Sequence, residues 1–254
     1  MSPTPEIRIF KTSNELFAAA VADFAKLAAD AVQRRGRFCV ALSGGSTPKG
    51  MYSLLAASST PIPWERVYFF WGDERYVPPT DPESNYRMAY EAMLSRVPVP
   101  PQNIFRIPSE EKDPELAAQQ YEQTLIKFFG LNSGEFPRFD LVLLGLGPDG
   151  HAASLFPDST ALKEASRLVV ANWVEKFKTH RITMTLPVLN NAAVVEFLVS
   201  GKEKAGIVHQ VLDDDGNQYP SQMIRPRNGR LVWLLDQAAA SELSHVNQIQ
   251  TQPQ

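Results

Sequence analysis

Short apolar runs alternate with stretches in which apolar residues recur every three or four positions. Ile7–Phe10 (IRIF) predicts a strand. Ser13 or Asn14 then caps a helix running to about Arg35, with Leu16, Ala20, Phe24, Leu27 and Ala31 on one stripe. Arg37–Leu42 predicts a strand and Ser43–Thr47 a turn, with Pro48 suited to the first turn of a helix carrying Tyr52, Leu54 and Leu55. Further strands are expected at Arg66–Trp71, Phe139–Leu144, Leu168–Val174, Arg181–Leu186, Val194–Val199 and Leu231–Asp236. Helices are expected at Asn85–Ser95, from Asp113-Pro114 through Phe128, at Lys202–Leu212, and briefly after the last strand.

This alternation predicts an α/β fold, Rossmann-like, with a mostly parallel sheet and helices on both faces. Phe139–Leu144 (FDLVLL) is nearly continuous in apolar residues, as a strand buried on both faces must be. In such folds ligands bind beyond the carboxyl ends of the strands. Three polar clusters fall there: SGGST after 37–42, GDER after 66–71 and GPDGH after 139–144. The active site is therefore expected at the carboxyl-terminal strand edge. Residues 1–245 read as one domain, with room for a small subdomain, and residues 246–254 as a polar tail. The prolines of 78–101 suggest a long surface connection rather than a boundary.

Composition narrows the function classes. The 254 residues carry a net charge of −3 and no basic stripe, which argues against a nucleic-acid partner. No apolar stretch reaches the roughly 20 residues of a membrane span. MSPTPEIRIF lacks the charged and apolar regions of a signal peptide, so a cytoplasmic location is expected. The single cysteine, Cys39, can form neither an internal disulfide nor a cysteine metal site. The widely spaced histidines at 151, 180, 209 and 245 do not form a convincing metal set, so none is expected.

Gly145, Gly147 and Gly150 spell G-x-G-x-x-G directly after an apolar run. A dinucleotide site also needs a helix opening at the last glycine and an acidic residue about 20 positions on. Pro148 and Asp149 interrupt the loop, Pro157 follows too soon for a helix, and RLVVANWV carries no acid at its tip. SGGSTPKG is likewise not a Walker loop. It suits a simpler purpose. Gly44 and Gly45 let the backbone approach a ligand closely, Ser46 and Thr47 add hydroxyls, and the helix that follows turns its free N–H groups toward the turn. That is an anion site, and phosphate is the expected anion.

Five blocks, in order, are similar to the 6-phosphogluconolactonase family, within the larger group that includes glucosamine-6-phosphate deaminases. They are ALSGGSTPKGMY (41–52), FFWGDERYVPPTDPESNY (69–86), LLGLGPDGHAASLFP (143–157), HRITMTLPVLNNA (180–192) and VSGKEKA (199–205). Deaminases of the group carry a glutamate near the end of the DGH block, where Phe156 stands here, and tend to have tyrosine where this chain has Arg75.

The resemblance implies hydrolysis of 6-phospho-D-glucono-1,5-lactone to 6-phosphogluconate in the oxidative pentose phosphate pathway, with a sugar phosphate as partner and no cofactor. His151 is expected as general base; Asp149 either orients its ring or braces the loop; Arg75 is expected as the cation at the reacting end, with a sugar hydroxyl or the phosphate as its alternative partner. Asp73 is expected to accept from sugar hydroxyls and Asn85 to fix the GDER loop. The Gly44, Gly45, Ser46 and Thr47 turn, Arg181 and Lys204 are expected to hold the phosphate, with Lys202 the competing lysine. An aminosugar-phosphate deaminase, a non-catalytic sugar-phosphate sensor and, on the glycine match alone, an NAD-dependent dehydrogenase stand as rival readings. Oligomeric state stays open, leaning to a monomer.

Overall fold

The computed structural model describes residues 4–214, 216 and 218–244; the predicted tail at 246–254 lies outside them. Six strands form one sheet: β1 (Glu6–Phe10), β2 (Phe38–Leu42), β3 (Val67–Trp71), β5 (Leu141–Leu144), β8 (Val194–Val199) and β9 (Arg230–Asp236). Their order is β1-β9-β8-β5-β2-β3, and every pair is parallel. All of FCVAL in β2 and LVLL in β5 is buried, as strands covered on both faces require. The connecting helices are α1 (Ser13–Arg35), α2 (Ser46–Ala57), α3 (Asn85–Ala89), α4 (Pro114–Phe129), α5 (Leu186–Leu189) and α6 (Ala205–Leu212). Local chemistry sets their ends. Thr12, rather than Ser13 or Asn14, caps α1 by accepting from Glu15 N, and the other end of that helix is the left-handed Gly36; Asp113 caps α4, which ends at the left-handed Gly130.

A second sheet departs from the simple alternation. GDER does not stop at a turn: Asp73–Arg75 forms β4, which pairs antiparallel with β7 (Thr179–Met184), and β7 with β6 (Val169–Val174). Its buried residues join the same continuous core as the large sheet. Three further boundaries differ from expectation. The strand predicted to Leu186 ends at Met184, because Leu186-Pro187 opens α5. The helix predicted from Asn85 to Ser95 is α-helical only to Ala89 and continues as one wider π turn, Tyr90–Leu94. After β9 the chain makes successive turns at 237–242 instead of a helix. There the Asp236 carboxylate accepts from both Ala239 N and Gly201 N, which ties the chain down at the strand end.

β2 and β5 are neighbours, yet the chain leaves β2 toward β3 and β5 toward β8. This is the switch point at which open parallel sheets hold ligands. Two buried tyrosines fix the strand ends around it. Tyr52 of α2 donates to Ser43 O and accepts from Ser43 N; Tyr121 of α4 does the same with Trp71. No helix among the described residues is long and apolar enough to cross a membrane.

Candidate active site

The loops after β2, β3, β5 and β8 enclose a cavity of about 260 Å³ at the switch point. Gly44, Gly45, Ser46, Thr47, Asp73, Arg75, His151, Arg181 and Lys204 all line it. Asp149 stands one layer back, behind the histidine. Segments separated by up to 160 residues of chain thus converge on one strand edge, as the motif positions required.

On the β2 side, α2 begins at Ser46, two residues before the expected Pro48. Gly45 precedes it with φ 104°, in the left-handed region, and no side chain caps the helix. The first N–H groups of α2 are thus left for an anion. Thr47 Oγ1 lies 3.0 Å from Ser200 Oγ, which links this turn to the loop after β8. A Cβ on Gly44 would lie 1.9 Å from Asn85 Oδ1, so this turn and the start of α3 interlock.

The three residues of β4 alternate in direction, so Asp73 and Arg75 face the cavity together. Asp73 accepts from Ser154 Oγ at 2.6 Å, and Asn85 Nδ2 donates to its main-chain oxygen at 3.0 Å. Arg75 stands directly opposite Arg181 in the β4–β7 ladder. Like charges so placed repel. Burial and the neighbouring Arg75 charge both pull the Arg181 pKa down, while Asp73 pulls it back up. Arg75 Nη1 donates to Glu83 O at 2.7 Å, and Lys204 Nζ to Leu146 O at 2.8 Å. Among the described residues none of these three cations has an ion-pair partner. Lys204 closes a 3-10 turn just ahead of α6, rather than lying in the α-helix itself; exposed Lys202 does not line the cavity.

The glycine loop after β5 closes on itself. Gly147 N donates to His151 O at 2.9 Å, and Gly150 N to Gly147 O at 3.0 Å. His151 Nδ1 lies 2.5 Å from Asp149 Oδ1. A carboxylate only accepts, so Nδ1 carries a proton, and in the neutral ring Nε2 holds the lone pair. This hydrogen bond holds the Asp149 carboxyl far below the ordinary carboxylate range. Gly147 leaves room for the imidazole: a Cβ there would meet His151 Nδ1 at 2.0 Å. The Phe156 ring lies 4.2 Å from the imidazole, centroid to centroid.

Sequence reasoning missed three contributors. Ser154 stands inside a quoted block, and its hydroxyl in a glycine-rich turn was the available signal. Phe177, in the turn between β6 and β7, lines the cavity beneath the Arg181 guanidinium. Lys176 of the same turn reaches Asp149 Oδ2 at 3.5 Å. Neither of the latter two carries a motif, because both arrive through the second sheet.

The arrangement offers an imidazole held by a carboxylate, an acceptor carboxylate and three cations around a small polar cavity. Comparison with known proteins agrees in kind. The family model for glucosamine-6-phosphate isomerases/6-phosphogluconolactonase matches residues 11–233. A 6-phosphogluconolactonase of Nostoc sp. is 47% identical over 216 residues, covering 84% of this chain and 88% of that protein. The chloroplastic 6-phosphogluconolactonase 3 of Arabidopsis thaliana is 41% identical over 235 residues, covering 88% and 72%. The solved 6-phosphogluconolactonase from Trypanosoma cruzi superposes with a TM-score of 0.85 at 32% identity, over 96% of this chain and 98% of that one. A monomeric glucosamine-6-phosphate deaminase, at 22% identity and a TM-score of 0.77, covers 93% and 99% and shares the fold. On its motifs, its sheet order and these matches, the chain belongs to the glucosamine-6-phosphate isomerase/6-phosphogluconolactonase family.

Proposed function

We propose that this protein hydrolyses 6-phospho-D-glucono-1,5-lactone to 6-phosphogluconate, the second step of the oxidative pentose phosphate pathway. The observation that carries the reading is the Asp149–His151 pair set in a cavity whose other walls hold three cations without acidic partners. His151 Nε2 takes a proton from a water molecule as its oxygen attacks the lactone carbonyl carbon. The carbonyl π electrons move to oxygen, and Arg75 stabilises that oxyanion. Collapse re-forms the carbonyl and breaks the bond to the ring oxygen, which takes the proton from His151. Asp149 fixes the imidazole tautomer and steadies its charged form. Asp73 accepts from a sugar hydroxyl.

At the far end, the phosphate is held by the Gly44–Thr47 turn, Arg181 and Lys204. Arginine supplies a planar fork of donors and lysine a point charge. No step needs a metal or organic cofactor. Phe156 supports hydrolysis over deamination: a ring occupies the wall beside His151, and Asp73 is the one carboxylate among the lining residues. Opening a sugar ring and moving a proton between carbons needs more acid–base groups than that. The lining residues run from Ser43 to Lys204, which supports residues 1–245 as one catalytic unit.

The test is hydrolysis of freshly generated lactone, corrected for its spontaneous rate, by the wild-type protein and His151→Ala. Wild-type protein accelerates the reaction. The variant loses about 10²- to 10⁴-fold in kcat, the usual worth of a positioned general base, and keeps its affinity for 6-phosphogluconate. Absence of wild-type acceleration overturns the reading, and ammonia release from glucosamine 6-phosphate would replace it with the deaminase.

A further inference from the structure

Glu74 is the middle residue of β4 and points away from the cavity that Asp73 and Arg75 face. It is 1% exposed. A buried carboxyl with no ion-pair partner is costly unless donors surround it. Four do. Oε1 accepts from Asn85 N at 2.7 Å and from Arg75 N at 2.8 Å; Oε2 accepts from Tyr86 N at 2.8 Å and from Ser84 Oγ at 3.0 Å. These donors are aimed at both oxygens, so the bonding pattern is that of a carboxylate. Burial raises the Glu74 pKa, and the three backbone N–H groups oppose that rise.

Three of the donors belong to the first turn of α3, including Ser84, whose hydroxyl also caps that helix by accepting from Arg87 N. The carboxylate therefore ties the start of α3 to β4 and closes the loop 76–83 between them. What it ties down borders the cavity. Glu83 O accepts from the Arg75 guanidinium, and the Asn85 side chain braces Asp73 while filling the space beside Gly44. Glu74 also places negative charge behind two facing arginines without taking a hydrogen bond from either guanidinium. Its charge acts on Arg181 through space.

We infer that Glu74 is a positioning residue: it touches no substrate, but it sets Arg75, Asn85 and Asp73 at the reacting end without pairing with either guanidinium. The inference deepens the proposed lactonase reading and rests on it for the meaning of kcat. Its direct hydrogen-bond partners, Ser84, Asn85, Tyr86 and the Arg75 main chain, are not the groups proposed to hold phosphate.

The experiment compares wild type, Glu74→Gln, Glu74→Asp and Ser84→Ala. Glutamine keeps the shape but turns one oxygen into a donor that meets the Tyr86 N–H and the Ser84 hydroxyl head-on. Glu74→Gln is expected to lose about 10- to 100-fold in kcat, the scale of one or two charge-assisted hydrogen bonds misplaced, while inorganic phosphate, competing at the Gly44–Thr47 turn, Arg181 and Lys204, binds within about threefold of wild type. Glu74→Asp, which restores a four-acceptor carboxylate, recovers part of the loss. Ser84→Ala, which removes one of the four bonds, shows a smaller loss of the same kind and serves if Glu74→Gln does not fold.

Amide hydrogen exchange reads the same claim without any assay of activity. Asn85 and Tyr86 N–H exchange at least tenfold faster in Glu74→Gln, or in Ser84→Ala should that variant stand in, while amides of β2 and β5 keep their protection. Unchanged exchange at those two amides overturns the inference, whatever the protein hydrolyses. Wild-type kcat in Glu74→Gln, or phosphate affinity lost in step with kcat, overturns it as well. Failure of the wild-type protein to hydrolyse the lactone would overturn the lactonase reading alone, since the exchange measurement stands apart from it.

Discussion

At the amino-terminal edge of the large sheet, a groove of about 1370 Å³ lies between β1, the end of α1 and the starts of β2, β8 and β9. It is several times larger than the cavity at the carboxyl edge and holds far more charged side chains. Its charges, however, are largely spent on one another. Arg8 pairs with Asp23, Arg35 with Asp140, Arg34 with Asp30 at 3.6 Å and Arg230 with Glu6 at 2.7 Å. At the carboxyl edge Arg75 and Lys204 donate to main-chain oxygens and Arg181 lies over Phe177, and among the described residues none of the three has an acidic partner. Cations that a fold gathers and leaves without acids are the ones available to an anionic ligand. Volume alone would have pointed to the wrong end of the strands.

The comparison breaks most sharply at Gly147. A methyl group there would lie 2.0 Å from His151 Nδ1, inside any real contact, while nothing in the backbone at this position demands glycine. Gly147→Ala is expected to push the imidazole off Asp149 and lower kcat by about 100-fold or more, within the range general-base catalysis is worth. The melting temperature, measured alongside, should fall by only a few degrees. An unchanged kcat would show that the Asp149–His151 geometry is not what drives the reaction.

Arg181→Ala comes next. It removes a buried guanidinium proposed to bind phosphate, and a hydrogen bond to a charged group is worth about 1.5–3 kcal/mol, so the Kd for 6-phosphogluconate should rise roughly 10- to 150-fold. Calorimetry of that variant beside Arg35→Ala sharpens the contrast between edges. The groove variant should bind the product within about twofold of wild type. Equal losses in both would erase the distinction between spent and available cations.

Much of this was legible in the chain. Strands such as LVLL and FCVAL announce themselves because burial on both faces admits only apolar residues, and the motif loops follow directly at their ends. The second sheet was not legible as a unit. β4 has three residues, too few to show alternation, and its partner lies more than 100 residues away. That gap hid the contributions that depend on it, namely Arg75 facing Arg181, Phe177 under the guanidinium, and Glu74 turned outward while its neighbours turn in. The expected helix after β9 failed for a similar reason, because the Asp236 carboxylate that fixes the turns there also serves Gly201, a partner 35 residues back.

The smallest effect on activity, and the clearest on stability, is expected from Glu196 in the middle of β8. Its side chain is 2% exposed beside the amino-edge groove, and its Oε2 meets no donor among the described residues. Burial first, and then the Asp23 charge, push the Glu196 pKa up to about 8. An unfolded glutamate titrates near pH 4.3, so the folded chain binds the extra proton between about pH 4.3 and 8. Stability from this site is full below that window and is lost as the pH rises through it. Glu196→Gln keeps a neutral donor toward Asp23 and has no charge to bury. Thermal unfolding should therefore place the variant close to wild type at pH 5 and several degrees above it at pH 8.5, at roughly 2–4 °C per kcal/mol for a chain of this size. Its kcat should match wild type throughout, because the carboxyl edge does not depend on how the opposite edge settles its charge. A variant equally stable at both pH values relative to wild type would mean that Glu196 is already ionised in the fold, with Arg8 or Arg230 as its partner.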